Sequence, residues 1–157
     1  MPLTDTNPFP LPHYHLILVP VDGSEAAQAA ATHAAALGTA TDATVAILGV
    51  IDTSAGFQFS AEGLARYDRL RAETQEAIQA ASAIVRGVSA ARVEHLIMDG
   101  TPREAILEVA DEQGADLIVL GARRAMLQDR SSESLVDHVL RHARCPVLIV
   151  PAERKPA

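Results

Sequence analysis

The segment GARRAMLQDRSSESLVDHVL, residues 121–140, carries one glycine, three arginines and a Ser-Ser-Glu-Ser run, set between an apolar stretch and a helix-like one. A loop placed this way is where backbone amides and hydroxyls can close on a phosphate, since glycine lets successive N–H groups point into one concavity. Here Gly121 has no second glycine to help it. Arg123, Arg124 and Arg130 could clamp an anion through side chains instead, because guanidinium matches phosphate in bidentate fashion. Glu133 works against any phosphate nearby, and the same arginines read equally as a solubilised loop beside Asp129 and Glu133. A second constellation overlaps the first: His138, His142 and Cys145 form H-x3-H-x2-C, and histidines four apart share a helix face as zinc ligation requires. A further ligand is wanting, Cys145 opens an apolar run, and histidines near a helix C-terminus are favourable without a metal. No metal is therefore assigned. Asp22, in VDGSEAA, could accept from a nucleoside or simply tie down the Asp-Gly-Ser bend. Asp52 and Asp99 each end an apolar run, but no nucleophile with a partner base accompanies them, which favours a binding module over an enzyme.

These residues need elements to hold them. YHLILVPV (14–21) is a β-rich run that stops at Asp22-Gly23-Ser24, and Ser24 caps an Ala-rich helix that Gly38 is expected to end. ATVAILGVID (43–52) reads as a second buried strand. A long helix follows from about 60 to 88, with Leu64, Tyr67, Leu70, Ile78, Ala81 and Val85 on its apolar face. ARVEHLIMDG (91–100) is a third strand. Thr101-Pro102-Arg103-Glu104 has the form of a capping box with proline in the first turn, and its helix runs to Gly114. ADLIVLG (115–121), a capped helix over about 133–143 and CPVLIVP (145–151) complete the pattern. Apolar strands alternating with helices predict an α/β fold, a doubly wound, Rossmann-like parallel sheet of five strands with helices on both faces. In such sheets ligands sit beyond the carboxyl ends of the strands, at the point where connections part to opposite faces. The domain is expected over 14–152, after a Pro-rich flexible tail (1–13) and before a short C-terminal tail (153–157).

Composition narrows the chemistry. The 157 residues suffice for one domain, and 48% of them are hydrophobic but only 3% aromatic, so stacking platforms for single-stranded nucleic acid are scarce. A formal charge of -7 repels a phosphate backbone, and nucleic acid is set aside. No apolar run approaches the ~20 residues that span a bilayer, so no membrane association is expected. One cysteine and an N-terminus without a basic, apolar leader suggest a cytoplasmic protein. VDGSEAA has one glycine where a dinucleotide fingerprint needs three, and neither G-x-x-x-x-G-K-[ST] nor G-x-S-x-G occurs.

Taken together and in order, LILVPVDGSEAAQAAATHAAALG, VAILGVID, DGTPREAILEVADEQGADLIVLGARR and LVDHVLRHARCPVLIVP resemble the universal stress protein (UspA) family over residues 16–151. The resemblance implies a homodimer that acts in stress response, with an unidentified partner protein, more than in a metabolic reaction. One branch of that family binds ATP through G-x2-G-x9-G-[ST]. Alignment on Cys145-Pro146 sets Gly121 at the first glycine, Arg124 at the second, Glu133 at the third and Ser134 at the hydroxyl. Two glycines are thus replaced, and eight residues (Ala125 to Ser132) fill a span one longer in the family. The contacts implied for a nucleotide fall on Pro20, Val21, Asp22, Val50, Leu120, Gly121, Arg123, Arg124, Ser134 and Leu135. The expectation is no cofactor, with ATP binding lost or weakened. The alternative is ATP or AMP held as a switch through the arginines. VLIVP, apolar and β-branched at the chain end, is expected to join two copies strand to strand.

Overall fold

The computed structural model describes residues 11–129 and 131–152. Five parallel strands lie in the order β3-β2-β1-β4-β5. They are β1 (Leu16–Val21), β2 (Thr44–Asp52), β3 (Val93–Gly100), β4 (Leu117–Arg123) and β5 (Val147–Ala152), linked by α1 (Glu25–Thr41), α2 (Ala61–Val88), α3 (Pro102–Gln113), the short α4 (Arg124–Gln128) and α5 (Leu135–His142). The doubly wound α/β architecture is the expected one. Most of the tail anticipated over 1–13, and all of the tail over 153–157, lie outside the described residues.

The two sides of each strand serve different helices, as the two-residue period of a strand requires. Ile17, Val19, Val45, Ile47 and Val119 pack with the alanines of α1 and with Ile78, Ala81 and Val85 of α2. Leu18, Ala46, Leu48, Ile118 and Leu120 pack against Ile106, Val109 and Ala110 of α3 and Val139 of α5. Central strands covered on both faces have no solvent side, which is why β1 shows no regular polar alternation. The Ala-rich character of α1 has a steric origin: Ala30, Ala31, Ala34 and Ala35 are fully buried, so the helix lies close on the sheet.

Three local expectations are corrected. Gly38 does not end α1. The helix continues to Thr41 and stops at Asp42, which takes the left-handed conformation at φ 57° and returns its N–H to Gly38 O. Gly38 is small for packing, since a Cβ there would meet Ala91 Cβ and Val45 Cγ2 at 3.0 Å each. Thr101 starts α3 as expected, but its side chain makes no cap hydrogen bond; the Glu104 and Ala105 amides donate to its backbone carbonyl. Finally, α2 buries Ala77, Ile78, Ala81, Ser82 and Val85, whereas Leu64 is 63% exposed. At 1.5 Å per residue its 28 residues run about 42 Å, beyond the roughly 30 Å of β2, and the first turns overhang the sheet.

A candidate nucleoside cleft and a self-satisfied loop

The chain leaves β1 for α1 toward β2 on one side, while β4 pairs with β1 on the other. The switch point therefore lies between the carboxyl ends of β1 and β4, where this architecture opens a crevice. A cavity of about 110 Å³ opens there, lined by Pro20, Val21, Asp22, Ser24, Ala27, Leu48, Val50, Pro102, Ile106, Leu120, Gly121 and Leu135. That is somewhat below the ~150 Å³ of a cavity that accepts benzene, so it suits one planar ring with the rest of a ligand reaching out. Pro20, Val21, Asp22, Val50, Leu120, Gly121 and Leu135 come together as the sequence suggests. Arg123, Arg124 and Ser134 do not line this cavity. Sequence reasoning misses Ser24, Ala27 and Leu48 as cleft residues, and also Pro102 and Ile106, which sit four apart at the start of α3 and reach the cleft from beneath β1 and β2. Their spacing is visible in the sequence, but an apolar helix position reads as core until the strand opposite is known.

Both roles weighed for Asp22 have a physical basis. Its Oδ1 accepts from the Ser24 amide at 3.0 Å, closing the bend, and the exposed residue still borders the cleft. Ser24 in turn caps α1, accepting from the Ala27 amide at 3.2 Å. Gly23 takes φ 83°, a left-handed turn that glycine adopts without a Cβ penalty.

Gly121 owes its identity to packing. A Cβ at this position would lie 2.0 Å from Ala26 O and 2.2 Å from Ala26 C, so the first turn of α1 rests directly on the β4 backbone. Strand β4 also runs two residues further than expected, and Arg124 opens the unforeseen helix α4, too short for its period to show in sequence. Arg123 and Arg124 are both exposed. Arg130 lies outside the described residues.

Beyond α4 the hydroxyls of Ser131 and Ser134 are satisfied within the loop. Ser131 donates through its amide and Oγ to Asp129 Oδ1 at 2.9 and 2.6 Å, and these bonds, the side-chain one first, hold the Asp129 carboxyl below its ordinary range. Ser134 and Asp137 form a reciprocal capping box at the start of α5. The Asp137 amide donates to Ser134 Oγ at 3.1 Å, while the Ser134 amide and hydroxyl donate to Asp137 Oδ2 at 3.2 and 3.0 Å. The same bonds lower the Asp137 pKa, the backbone one most. Glu133 approaches Arg103 at 4.0 Å and His138 at 3.8 Å. Any phosphate arriving at this loop meets three carboxylates and two hydroxyls already committed.

The acid pair has no joint role. Asp52 accepts from Ser54, whose side-chain and backbone bonds lower its pKa, and Asp99 accepts from the Tyr67 hydroxyl at 2.9 and 3.0 Å, a bond that raises the tyrosine's pKa. Nor does the H-x3-H-x2-C trio assemble: the side chains whose ligating atoms converge are Glu133, His138 and His142. Burial pushes the Cys145 thiol up in pKa, away from the thiolate a metal would need.

A parallel sheet in 3-2-1-4-5 order with an apolar cleft at its switch point defines a Rossmann-like α/β domain. Within that class the profile of the universal stress protein family matches residues 13–151, and the chain belongs to that family. A universal stress protein of Methanocaldococcus jannaschii is 32% identical over 147 residues, covering 90% of this chain and 85% of its own. Among solved structures, UspA from Lactobacillus plantarum superposes with a TM-score of 0.75 at 29% identity, covering 88% of this chain and 98% of its own. A universal stress protein in complex with cAMP gives a TM-score of 0.69 at 24% identity over 88% and 98% of the two chains. Among the described residues no helix is long and apolar enough to cross a membrane.

Proposed function

We propose that the chain is a cytoplasmic, homodimeric regulatory module of the stress response whose cleft receives the nucleoside end of an adenine nucleotide and grips ATP poorly. The observation that carries this reading is the commitment of the Ser131 hydroxyl to Asp129 and of the Ser134 hydroxyl to Asp137, which leaves neither of these two donors for a phosphate. A charge-assisted hydrogen bond is worth roughly 1.5–3 kcal/mol, so two missing bonds weaken a triphosphate site by about 2–4 decades. The base end is different. Pro20, Val21, Leu48, Val50, Ile106 and Leu120 offer a ring-sized apolar slot, and Asp22 borders it with a carboxylate suited to a ribose hydroxyl or an exocyclic amine. Fold neighbours carry cAMP, AMP and dAMP; those ligands are properties of those proteins, and they name the class worth testing here.

Calorimetry with adenosine, AMP and ATP at physiological magnesium tests the reading. Adenosine and AMP bind more tightly than ATP, whose affinity is millimolar or weaker. Replacing Arg124 and Glu133 by glycine, with one residue inserted between them, tightens ATP. Micromolar ATP binding by the parent protein, lowered by Arg124→Gly, overturns the reading in favour of an arginine-held triphosphate switch.

The dimer forms through β5, an edge strand of the sheet whose Leu148 is 36% exposed. An apolar edge of this kind is a template for a second copy, and Pro151, which has no amide hydrogen, limits the ladder.

A further inference from the structure

We propose that Glu133, His138 and His142 bind one divalent transition-metal ion of the zinc class. One donor atom from each of the three lies within 4.8 Å of the others. The histidines stand one helical turn apart on α5, rings tilted by 32° with centroids 4.4 Å apart. Glu133 precedes the N-cap Ser134. The capping box that fixes the entry of the chain into α5 leaves its carboxylate Oε2 3.8 Å from His138 Nδ1.

Two further observations give these side chains the character of ligands. His142 Nδ1 lies 2.8 Å from the His138 carbonyl, which can only accept; the Nδ1 therefore carries the proton, and the Nε2 lone pair is left for a metal. This backbone hydrogen bond is the usual means by which a ligating imidazole has its tautomer and orientation set. His138 Nδ1 is buried without a hydrogen-bond partner, the one such side-chain atom among the described residues. Buried polar atoms are normally satisfied, and a cation between this nitrogen, His142 and Glu133 satisfies it.

The donor set selects the metal. Two imidazoles and a carboxylate make the three-ligand set of an open zinc site, with a fourth position left to water, whereas calcium and magnesium call for oxygen ligands throughout. Bonds of about 2.0–2.2 Å place tetrahedral donors roughly 3.3 Å apart, so no pair has to draw in by more than about 1.5 Å. Glu133 and His142 are exposed and can move that far. Arg103 competes for Glu133 only at 4.0 Å, beyond a tight hydrogen bond.

Metal-free full-length protein is titrated with zinc by calorimetry, and the bound metal is counted by elemental analysis after gel filtration; no nucleotide is needed, so the outcome is separate from that of the cleft. One zinc per chain is expected. His142→Ala, at an exposed position that leaves the fold intact, and Glu133→Gln each weaken binding by about tenfold or more, while Cys145→Ser leaves it unchanged. The cobalt-loaded protein shows tetrahedral d–d bands without thiolate charge transfer. Lack of stoichiometric zinc, binding indifferent to His142→Ala, as chelation by the stacked His13 and His15 would give, or binding lost in Cys145→Ser overturns the proposal.

Discussion

Replacing Gly121 by alanine tests whether this glycine serves helix packing. The added Cβ would stand 2.0 Å from Ala26 O, 2.2 Å from Ala26 C and 2.8 Å from Ala27 N. All three are backbone atoms, so no rotamer change relieves the clash. Ordinary contact begins near 3.4 Å, and α1 must retreat from β4 by about 1.4 Å. Ala26, Ala27 and Ala30 are at most 6% exposed, so the retreat opens gaps along a close-packed face. Overpacking costs about 1–3 kcal/mol, and backbone on both sides of the contact places this case at the upper end. A loss of about 3 kcal/mol lowers Tm by roughly 6–12 °C and the urea midpoint by about 1–2 M at unchanged slope. Gly87→Ala is the internal control: it lies inside α2, where an added Cβ meets nothing within 4 Å, and it gains about 0.5–1 kcal/mol from helix propensity. Opposite signs in one urea series are the expected result. A Gly121→Ala protein within about 0.5 kcal/mol of the parent refutes the packing account and returns this glycine to the anion.

Ser134→Ala removes the α5 cap and costs about 1 kcal/mol, read as a fall in Tm. The same variant flattens the acid limb. Asp137 has a folded pKa below its ordinary 3.8, so its stabilisation is complete above that value and disappears as pH falls from it toward the folded pKa, and Tm recorded between pH 5 and 2 shows the parent losing more than the variant. Leu148→Asp on β5 is expected to convert the dimer to monomer in sedimentation velocity, and a dimer that persists removes the strand-to-strand arrangement. Ile106→Ala, at the floor of the cleft and 1% exposed, lowers stability by about 2–4 kcal/mol and weakens adenosine more than it alters zinc binding; equal loss of both would mean general unfolding.

The order of elements is legible because strands such as LILVPV and VAILGVI are apolar throughout and the runs between them keep helical spacing. Glycine is harder. Gly38 and Gly114 look alike in sequence at the end of a helical run, yet Gly114 caps α3 at φ 66° while Gly38 lies inside α1 beneath Ala91 and Val45. The deciding fact is the distance to another element, which no local pattern contains. Thr101 illustrates the same limit at smaller scale: residue types for a capping box are present, but among the described helices it is the Ser134 to Asp137 pair that closes one. For the cleft, the strand-end residues can be named in advance because the switch point follows from topology. The α3 contributors Pro102 and Ile106 cannot, because their exposure to the cleft depends on where α3 crosses. In sequence Glu133 reads only as an obstacle to phosphate, since its approach to His138 depends on the turn before α5.

The overhang of α2 divides one continuous helix into two regimes of local stability. From Ala77 to Val85 the helix cannot loosen without breaking the core beneath α1, so amide exchange there follows global unfolding. From Ala61 to about Arg71 no residue is fully buried, and the backbone hydrogen bonds are held mainly by the helix itself and by the Ser60 cap. The Tyr67 hydroxyl, held by the Asp99 carboxylate, ties this end to β3. Hydrogen exchange and limited proteolysis will therefore see the first turns of α2 open and close many times in the lifetime of the folded domain, with protection rising along the chain until the sheet takes hold of it.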